Sequence, residues 1–353
     1  MKKAPLLSLL LLCTALSSAS AQEHAWTWQN PLPQGNTLHA TDFVDAQTGW
    51  AVGEAGTIVH TTDGGDTWTV QKSGTPRNFS DVHFIDAQTG WAAGADNASG
   101  LILHTNDGGD TWTPQHTTPT DEIAAVYFAD AQTGWAAGEQ TILRTLDGGQ
   151  TWTTTTLDGT FFLNGLHFAD AQTGWAVGSQ GVIYHTGDGG QTWTPQNSGT
   201  AFDLNAVFFL DAVTGWAVGR SGTVLHTTDG GAAWTPQDGG LPAFFTDVHF
   251  ADADHGWIST HERLAAGTSI RVTTDGGTTW NTVTTGATFD LRGVYFVDAS
   301  TGWIVGVAGE ILRTDDGGVT WTPQTDGLRD TFWDVAALNP DTVLVVGPER
   351  MPL

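Results

Sequence analysis

Residues 61–68 read Thr-Thr-Asp-Gly-Gly-Asp-Thr-Trp, and this short stretch decides the fold because it recurs along the chain. The recurring pattern is Thr-x-Asp-Gly-Gly-x-Thr-Trp or a close variant, and successive copies are 40 to 46 residues apart. Self-similarity at such a period indicates a repeat architecture in which each repeat is one supersecondary unit. The aspartates of these copies are Asp63, Asp107, Asp147, Asp188, Asp229, Asp275 and Asp316.

A second string, Asp-Ala-Gln-Thr-Gly-Trp-Ala-Val-Gly at residues 45–53, precedes the first copy, and its variants precede the others. Each unit then contains four short strand-like runs, which we name strands a to d. Strand a ends in phenylalanine, as at residues 81–84, and strand c is exemplified by residues 57–60. Short strands, glycine-containing turns and no helical periodicity predict an all-β propeller with one four-stranded blade per repeat.

The chain ends favour eight blades over seven. Residues 25–30 match a strand d, and residues 333–335 match a strand a. Residues 341–347 then match a strand b, with Leu344 in place of its tryptophan. Seven complete blades and an eighth closed by both termini would pair the last exposed strand edge. This arrangement predicts that residues 26–29 share a blade with residues 342–346. The alternative is seven blades, with the terminal strands packed outside the ring.

Residues 1–21 have the composition of an export signal. Lys2 and Lys3 precede an apolar run rich in leucine, and Ala-Ser-Ala at residues 19–21 forms a small-residue cleavage site. We therefore expect a mature chain that begins at Gln22, forms a single propeller domain over residues 22–353, and resides in the periplasm or outside the cell. Cys13, the only cysteine, lies within the signal, so the mature chain forms no disulfide.

The chain is strongly acidic, with a formal net charge of −26. Removing Lys2 and Lys3 leaves 10 basic against 38 acidic residues, a net charge of −28. Such a field repels nucleic acid and anionic lipid. No uninterrupted apolar segment is long enough to span a bilayer. We expect a monomer that is not inserted in a membrane, binds no nucleic acid, and carries neither metal nor cofactor.

The Asp-Gly-Gly turn has a structural interpretation and a functional one. An aspartate can accept backbone N–H bonds, and glycine adopts backbone angles that other residues resist. The tryptophan that follows the turn can fill the wedge between blades. The functional alternative is calcium or sugar binding at every turn. Equal copies spread around a ring cannot converge on one ligand, so we favour the structural interpretation.

These two strings, His-Thr-Thr-Asp-Gly-Gly-Asp-Thr-Trp-Thr at residues 60–69 and the one at residues 45–53, resemble those of Asp-box (BNR) propellers. Their pairing within one unit is most similar to the photosystem II stability/assembly factor family. The resemblance covers the chain from Gln22 onward. It implies a non-catalytic scaffold connected with photosynthesis, which docks subunits of an exported or membrane complex through an arginine-bearing face.

The alternative function is a carbohydrate-binding or glycoside-hydrolase propeller of the sialidase type. A sialidase uses a tyrosine nucleophile, and other glycosidases use two facing carboxylates. Tyr127 and Tyr295 occupy one repeat position in strand a, and Tyr184 lies in strand c. No acidic pair departs from the repeat. Seven of the twelve histidines also fall on repeat positions, so we expect no enzyme active site.

The loops point to one face as the functional surface. The a–b and c–d loops are nearly identical between units and share what we call the repeat face. The d–a and b–c loops differ between units and share the opposite, variable face, which is free to specialise. Arginine pairs with carboxylates and stacks on aromatic rings, so arginines among phenylalanines predict a protein or peptide docking surface. A competing interpretation is that some of these phenylalanines plug the channel mouth. The candidate partner-binding residues are Arg77, Arg220, Arg263, Arg292, His261, Phe162, Phe202, Phe244 and Phe289.

Overall fold

Seven four-stranded antiparallel sheets form the body of the protein, each in the sequential order a-b-c-d. The computed structural model describes residues 35–96, 99–117, 122–240, 242–264, 267–324, 334–339 and 342–346. The strands of blades 1 to 3 are β1 (Leu38–Phe43), β2 (Gly49–Gly53), β3 (Thr57–Thr61) and β4 (Thr69–Lys72); β5 (Asn78–Phe84), β6 (Gly90–Asp96), β7 (Ser99–Thr105) and β8 (Thr113–Thr117); and β9 (Ile123–Phe128), β10 (Gly134–Gly138), β11 (Thr141–Thr145) and β12 (Thr153–Thr156).

The remaining blades repeat this plan. Blades 4 and 5 comprise β13 (Leu163–Phe168), β14 (Gly174–Gly178), β15 (Ile183–Thr186) and β16 (Thr194–Gln196); and β17 (Leu204–Phe209), β18 (Gly215–Gly219), β19 (Thr223–Thr227) and β20 (Thr235–Asp238). Blades 6 and 7 comprise β21 (Phe245–Phe250), β22 (Gly256–Leu264), β23 (Gly267–Thr273) and β24 (Asn281–Thr284); and β25 (Leu291–Phe296), β26 (Gly302–Gly306), β27 (Ile311–Thr314) and β28 (Thr322–Pro323). Single-turn 3₁₀ helices follow strand b at Glu54–Gly56, Ser179–Gly181, Arg220–Gly222 and Val307–Gly309.

Burial follows the order of the strands in each blade. Strand b is buried throughout in blades 1, 3, 4, 5 and 7, because it lies between two strands and packs against a neighbouring blade on each side. Strand d is the outer edge, and its mostly exposed threonines in β12 show how that edge faces solvent. The inner strands a surround a central channel.

A fully buried tryptophan in each strand b joins its blade to the next one. Trp50 stacks on Phe84 of blade 2 at a ring-centroid distance of 3.4 Å, and its Nε1 donates to the carbonyl oxygen of Gly108 at 3.1 Å. The second tryptophan of the repeat packs edge-on against the phenylalanine of its own blade, as Trp112 does on Phe84. Each blade therefore contributes a phenylalanine that lies between two tryptophans. The joining tryptophans are Trp50, Trp91, Trp135, Trp175, Trp216, Trp257 and Trp303.

The same contact joins blade 7 to blade 1, so the prediction of eight blades was wrong. Trp303 stacks on Phe43 at 3.8 Å and donates to the carbonyl oxygen of Gly64 at 3.0 Å. Each repeat supplies all four strands of one blade, and the first and last blades are already complete. The ring therefore has seven blades, and the contact between its first and last members leaves no gap for an eighth.

The C-terminal segment that suggested an eighth blade forms a separate two-stranded sheet. In it, β29 (Asp334–Asn339) pairs antiparallel with β30 (Thr342–Val346). The predicted strand d at residues 25–30, and with it the predicted pairing of residues 26–29 with β30, lies outside the described residues. Within the described ranges, no helix is long and apolar enough to cross a membrane.

The Asp-Gly-Gly turn is built around a threonine as much as around its aspartate. The buried Thr61 hydroxyl donates to Asp63 Oδ1 at 2.8 Å and accepts the Gly65 N–H at 2.8 Å. Asp63 Oδ1 also accepts the Thr67 N–H at 2.8 Å. Gly64 and Gly65 have φ angles of 71° and 94°, which side chains resist. The threonine–aspartate–glycine bonds recur in the other six copies.

Thr145→Val should therefore destabilise the protein more than Asp147→Ala. Thr145 is 1% exposed and accepts the buried Gly149 N–H at 2.8 Å. Valine keeps the shape of threonine but leaves that N–H unpaired, at a cost of about 1–3 kcal/mol. Asp147 accepts the Thr151 N–H near solvent, where water can replace it. Thermal unfolding measures both variants, and a partner-binding defect in Asp147→Ala with unchanged melting would contradict a structural role for the box.

Candidate functional site

Arg220 begins the 3₁₀ turn after strand b of blade 5, on the variable face. The turn starts close to strand a because the preceding residue is Gly219, where a Cβ atom would lie 2.0 Å from the Asp203 carbonyl oxygen. The Arg220 N–H donates to that oxygen at 2.9 Å, and its Nε lies 3.1 Å from Asp203 Oδ2. The Arg220 side chain nevertheless remains 57% exposed. Its guanidinium is thus oriented by the protein and accessible from solvent.

Two aromatic side chains of blade 6 extend this group into what we call the Arg220 stack, made of Arg220, Phe244 and His261. The guanidinium carbon of Arg220 lies 5.1 Å from the Phe244 ring centroid, within cation–π range. Phe244 and His261 stack at 4.7 Å with an interplanar angle of 5°. Gly219 and Thr260 pair with the first buried residue of strand a in their own blades, Leu204 and Phe245. Arg220 and His261, the residues that follow them, therefore occupy equivalent positions of adjacent blades.

A buried ion pair supports the strand that carries His261. Arg271 in β23 is 1% exposed, and its Nη2 lies 2.8 Å from Glu262 Oε2. Its Nε donates to the carbonyl oxygen of Gly239 at 2.9 Å, and Ser269 Oγ donates to the same Glu262 oxygen at 2.8 Å. Burial alone would raise the pKa of Glu262, but the bonds from Arg271 and Ser269 outweigh it and lower that pKa. The pair joins the two strands of the hairpin next to the Arg220 stack.

The central channel encloses a cavity of about 390 Å³. In every blade except blade 2 the second residue of strand a lines the end of this cavity at the variable face, and in blade 2 the third residue, Ser80, takes this place. These residues include His39, Asn164, Asn205 and Arg292. The two asparagines bond to the next blade, since Asn164 Nδ2 donates to the Leu204 carbonyl and Asn205 Nδ2 to the Phe245 carbonyl. Their amide groups therefore hold neighbouring blades together.

Two carboxylates inside the channel also bridge blades. Asp81 accepts the N–H of Val82 at 2.9 Å and of Val126 in the next blade at 2.8 Å. Asp247 does the same with Val248 and with Val294 of blade 7, at 2.8 and 2.9 Å. Burial raises the pKa of Asp81 to about 7 and that of Asp247 to about 6, although these bonds act in the opposite direction. Neither residue was predicted as a site residue from the sequence, although each replaces the alanine or glycine found at this position in the other blades.

A third channel carboxylate pairs with a histidine towards the repeat face. His83 Nδ1 lies 3.4 Å from Asp42 Oδ2, and its Nε2 lies 2.9 Å from the Phe128 carbonyl oxygen. The Phe128 carbonyl oxygen can only accept a hydrogen bond, so we assign a hydrogen to Nε2, which donates to it. Burial would lower the pKa of His83, but Asp42 outweighs it, and the pKa lies above its ordinary value. The His83 ring therefore connects blades 1, 2 and 3.

The tyrosines that a sialidase mechanism would need lie in an aromatic collar around the channel. Tyr127 stacks against His83 at 4.6 Å, and Tyr295 lies 4.6 Å from the His249 ring. Burial raises the pKa of Tyr127 to about 12 and also raises that of Tyr295, so neither hydroxyl is activated as a nucleophile. Among the described side chains, no three histidine, cysteine, aspartate or glutamate residues are grouped to hold a metal ion.

The other predicted partner-binding residues are spread around the variable face. Arg77 lies near His39 in a separate cavity, and its Nη1 donates to the Gly100 carbonyl oxygen at 3.5 Å. Phe202, which precedes Asp203 in sequence, is 54% exposed, whereas Phe162 and Phe289 are half-buried. The Arg263 side chain lies outside the described part. The structure thus brings Arg220, Phe244 and His261 together but does not gather all the predicted residues into one patch.

Comparisons with known proteins identify a family and a fold. The model of the family described as photosynthesis system II assembly factor YCF48 matches residues 18–114, 70–162, 115–194, 156–243 and 237–322. A solved structure of YCF48 bound to D1 peptide is 22% identical, with a TM-score of 0.65, over 82% of this chain and 96% of that one. YCF48 from Cyanidioschyzon merolae is 23% identical, with a TM-score of 0.67, over 81% and 98% of the two chains.

A glycoside hydrolase shares the propeller architecture at lower identity. The GH74 enzyme of Niastella koreensis is 15% identical with a TM-score of 0.72, and the match covers 91% of this chain and 59% of that enzyme. Identity this low indicates a common fold and nothing about activity. A search of curated protein sequences found no match to this chain.

Proposed function

Because this chain belongs to the family of photosynthesis system II assembly factor YCF48, we propose that it is an exported, non-catalytic propeller that binds a protein or peptide partner on its variable face. The family supports a protein or peptide as the partner, since one YCF48 structure contains a D1 peptide. Export is supported by the signal-like composition of residues 1–21. The partner we propose is a segment of a membrane-complex subunit.

The Arg220 stack is the observation that carries this proposal. It combines an exposed guanidinium, held by Asp203 at 3.1 Å, with the stacked rings of Phe244 and His261. Arginine and aromatic side chains in fixed orientations are the usual anchors of protein interfaces. In a chain of net charge −26, a cationic group on the variable face would also attract an acidic segment of the partner.

Binding without turnover fits the channel carboxylates better than hydrolysis does. Asp81 and Asp247 each use both oxygens to accept backbone N–H groups, and Asp42 accepts the Phe84 N–H at 2.6 Å. A glycosidase needs one carboxyl group to protonate the leaving oxygen and a second to attack or to activate water. Carboxylates committed to holding blades together are poorly placed for either role.

The double variant Arg220→Ala/Arg292→Ala should lose partner binding while keeping its thermal stability. A D1 peptide is the first probe, and fluorescence anisotropy would measure its affinity for the purified protein. We expect at least about a tenfold loss of affinity, since charge-assisted contacts of arginine are among the stronger interface contacts. Binding to the wild type should also weaken as salt is raised, because exposed charges are screened.

Asp229→Ala is the matched control, because it removes a charged Asp-box side chain on the repeat face. It should melt at a lower temperature and bind the peptide with unchanged affinity. Equal affinity of the arginine variant and the wild type would remove these arginines from the site. Glycan hydrolysis that disappears on changing one acid would replace the proposal with an enzyme. Sequencing the N-terminus of the protein isolated from its native cell tests the proposed export, since we expect the mature chain to begin at Gln22.

A further inference from the structure

The buried core of the ring is divided into separate clusters of apolar side chains, one at each joint between two blades. The cluster between blades 1 and 2 contains Trp50 and Phe84, and the one between blades 3 and 4 contains Trp135 and Phe168. All seven joints share such a stacked pair. Differences between the joints therefore arise in the polar bonds that cross them.

Side chains of the inner strands bond across five of the seven joints. Asp42 accepts the Phe84 N–H between blades 1 and 2, and Asp81 accepts the Val126 N–H between blades 2 and 3. These bonds connect the inner strands of blades 1 to 3 along the channel wall. Equivalent bonds connect blades 4 to 7, and the side chains that make them are Asn164, Asn205, Thr246 and Asp247.

The other two joints lack such a bond between the described residues of their inner strands. Blade 3 has Ala124 and Ala125 at the two positions where blades 2, 4, 5 and 6 carry a bridging side chain. Blade 7 has Arg292 and Gly293 there, and no side-chain hydrogen bond joins β25 to β1 in the part of the chain that the structure describes. These two joints lie on opposite sides of the ring and divide it into blades 1–3 and blades 4–7.

A second kind of bond, nearer the outer edge, is also missing between blades 3 and 4. In the next joint, between blades 4 and 5, the Gln196 amide donates to the Gly230 carbonyl oxygen at 2.9 Å and accepts the Trp234 indole N–H at 3.2 Å. The strand register places Thr155 of blade 3 at the position of Gln196. A threonine side chain is too short to make either bond.

The polar contacts that do cross from blade 3 to blade 4 lie away from the channel wall. Trp135 Nε1 donates to the Gly189 carbonyl oxygen at 3.0 Å, in the turn of blade 4. Glu139 and Phe162 form an isolated bridge between the connecting loops. The inner strands β9 and β13 therefore meet through apolar and aromatic contact.

The joint between blades 7 and 1 is likewise bonded at a turn and not at the channel. Trp303 Nε1 and Arg313 Nη1 donate to the same Gly64 carbonyl oxygen, at 3.0 and 3.1 Å. No connecting loop crosses this joint, because it joins the first blade to the last. Its channel side can therefore separate without breaking a described hydrogen bond between the inner strands.

We propose that the ring consists of two rigid units, blades 1–3 and blades 4–7, and that it opens at the two joints between them. Local opening follows the least stable contacts of a fold, and hinge motion requires rigid bodies that few bonds connect. The Arg220 stack belongs to the second unit, whereas the cavity beside Arg77 is lined by residues of the first. Opening therefore changes the distance between these two regions of the variable face.

One repeat position provides matched probes for these joints. Ala51, Ala92, Ala176 and Ala217 directly follow the joining tryptophan of their blades, and each is 0% exposed. Ala51 lies in the cluster between blades 7 and 1, and Ala176 in the one between blades 3 and 4. Ala92 and Ala217 lie in bonded joints, between blades 1 and 2 and between blades 4 and 5. Isoleucine occupies this position in blades 6 and 7, so a cysteine fits.

The experiment replaces each alanine with cysteine in a Cys13→Ser protein, which has no other thiol. The native variants are labelled with N-ethylmaleimide, and mass spectrometry follows the rate. Ala51→Cys and Ala176→Cys should react at least about tenfold faster than Ala92→Cys and Ala217→Cys, because local opening exposes the first two thiols. Urea unfolding of each variant gives the rate expected from global unfolding alone.

Equal rates in all four variants, or rates that global unfolding accounts for, would overturn the two-unit ring. Fast labelling at one of the two joints alone would contradict it as well, since two rigid units separate at both. Rates that are fastest in Ala92→Cys or Ala217→Cys would place the flexible joints elsewhere and reject the division into blades 1–3 and 4–7.

A reciprocal pair of substitutions tests whether the missing bonds are the cause. Thr155→Gln should slow the labelling of Ala176→Cys by about tenfold, because the new amide can reach the Gly189 carbonyl oxygen as Gln196 reaches that of Gly230. Gln196→Thr should speed the labelling of Ala217→Cys, whose joint it weakens. If neither substitution changes the rate at its own joint, the pattern of bonds does not control opening and the proposal fails.

Discussion

Replacing Trp303 with alanine should lower the free energy of unfolding by about 3–5 kcal/mol, the range for truncating a large buried aromatic residue. Trp303 is fully buried, stacks on Phe43 at 3.8 Å, and donates to the Gly64 carbonyl oxygen at 3.0 Å. Alanine removes the whole contact between blades 7 and 1 at this point and leaves that buried carbonyl without the indole donor. The substitution tests whether blade 7 closes the ring as described.

The measurement is equilibrium unfolding in urea followed by tryptophan fluorescence and circular dichroism. Trp135→Ala is the matched control, because Trp135 makes the same contacts between blades 3 and 4, stacking on Phe168 at 3.6 Å and donating to the Gly189 carbonyl at 3.0 Å. The two variants should lose similar stability. If Trp303→Ala cost less than about 1 kcal/mol while Trp135→Ala cost the full amount, the closing contact would not form in solution.

Arg271→Leu should cost about 3–5 kcal/mol, because removing one partner of a buried ion pair leaves the other uncompensated. Leucine occupies the equivalent position in blades 5 and 7, at Leu225 and Leu312, so the new side chain fits a blade of this type. Glu262 would lose its 2.8 Å contact, and the Gly239 carbonyl would lose its donor. Thermal and urea unfolding measure the loss.

The double variant Arg271→Leu/Glu262→Gln separates charge from packing. Removing the carboxylate charge as well should recover part of the stability, since a neutral side chain is less costly to leave unpaired. A double variant no more stable than Arg271→Leu alone would show that Arg271 contributes through packing on Phe245, whose ring centroid lies 5.6 Å from its guanidinium carbon. D1 peptide affinity should fall in Arg271→Leu, because the hairpin of His261 loses its support.

The repeat predicted most of the fold but not the number of blades. Strand type, strand order and turn positions follow from local sequence, because each unit folds from neighbouring residues. The blade count depends instead on how two complete blades meet, which a count of strand-like segments does not describe. Residues 333–335 resemble a strand a, yet their unit has Leu344 in place of the joining tryptophan and no Asp-box. Those two absences were the available evidence against an eighth blade.

The candidate site was only partly predictable. The break in the repeat identified Arg220, Phe244 and His261, but not that Phe244 lies between the other two, because that contact crosses from one blade to the next. The pairing of Arg220 with Asp203 likewise depends on a close approach of two strands. Arg271 was detectable, since an arginine stands where strand c of blades 1, 2, 3, 5 and 7 has an aliphatic residue and that of blade 4 has a tyrosine. Its carboxylate partner was visible only in three dimensions.

The span of the closing contact has a consequence for how the chain folds. At five of the other joints between blades, the tryptophan indole donates to a carbonyl oxygen in the turn of the next blade. The two bonded residues are 54 to 60 positions apart in sequence. The joint between blades 7 and 1 connects residues 239 apart. Local joints form faster than distant ones, so an open row of blades should precede the ring. Such a row exposes Trp303 at one end and Phe43 at the other. The two ends are complementary within one molecule and equally between molecules. Slow closure would therefore favour head-to-tail chains of misassembled copies.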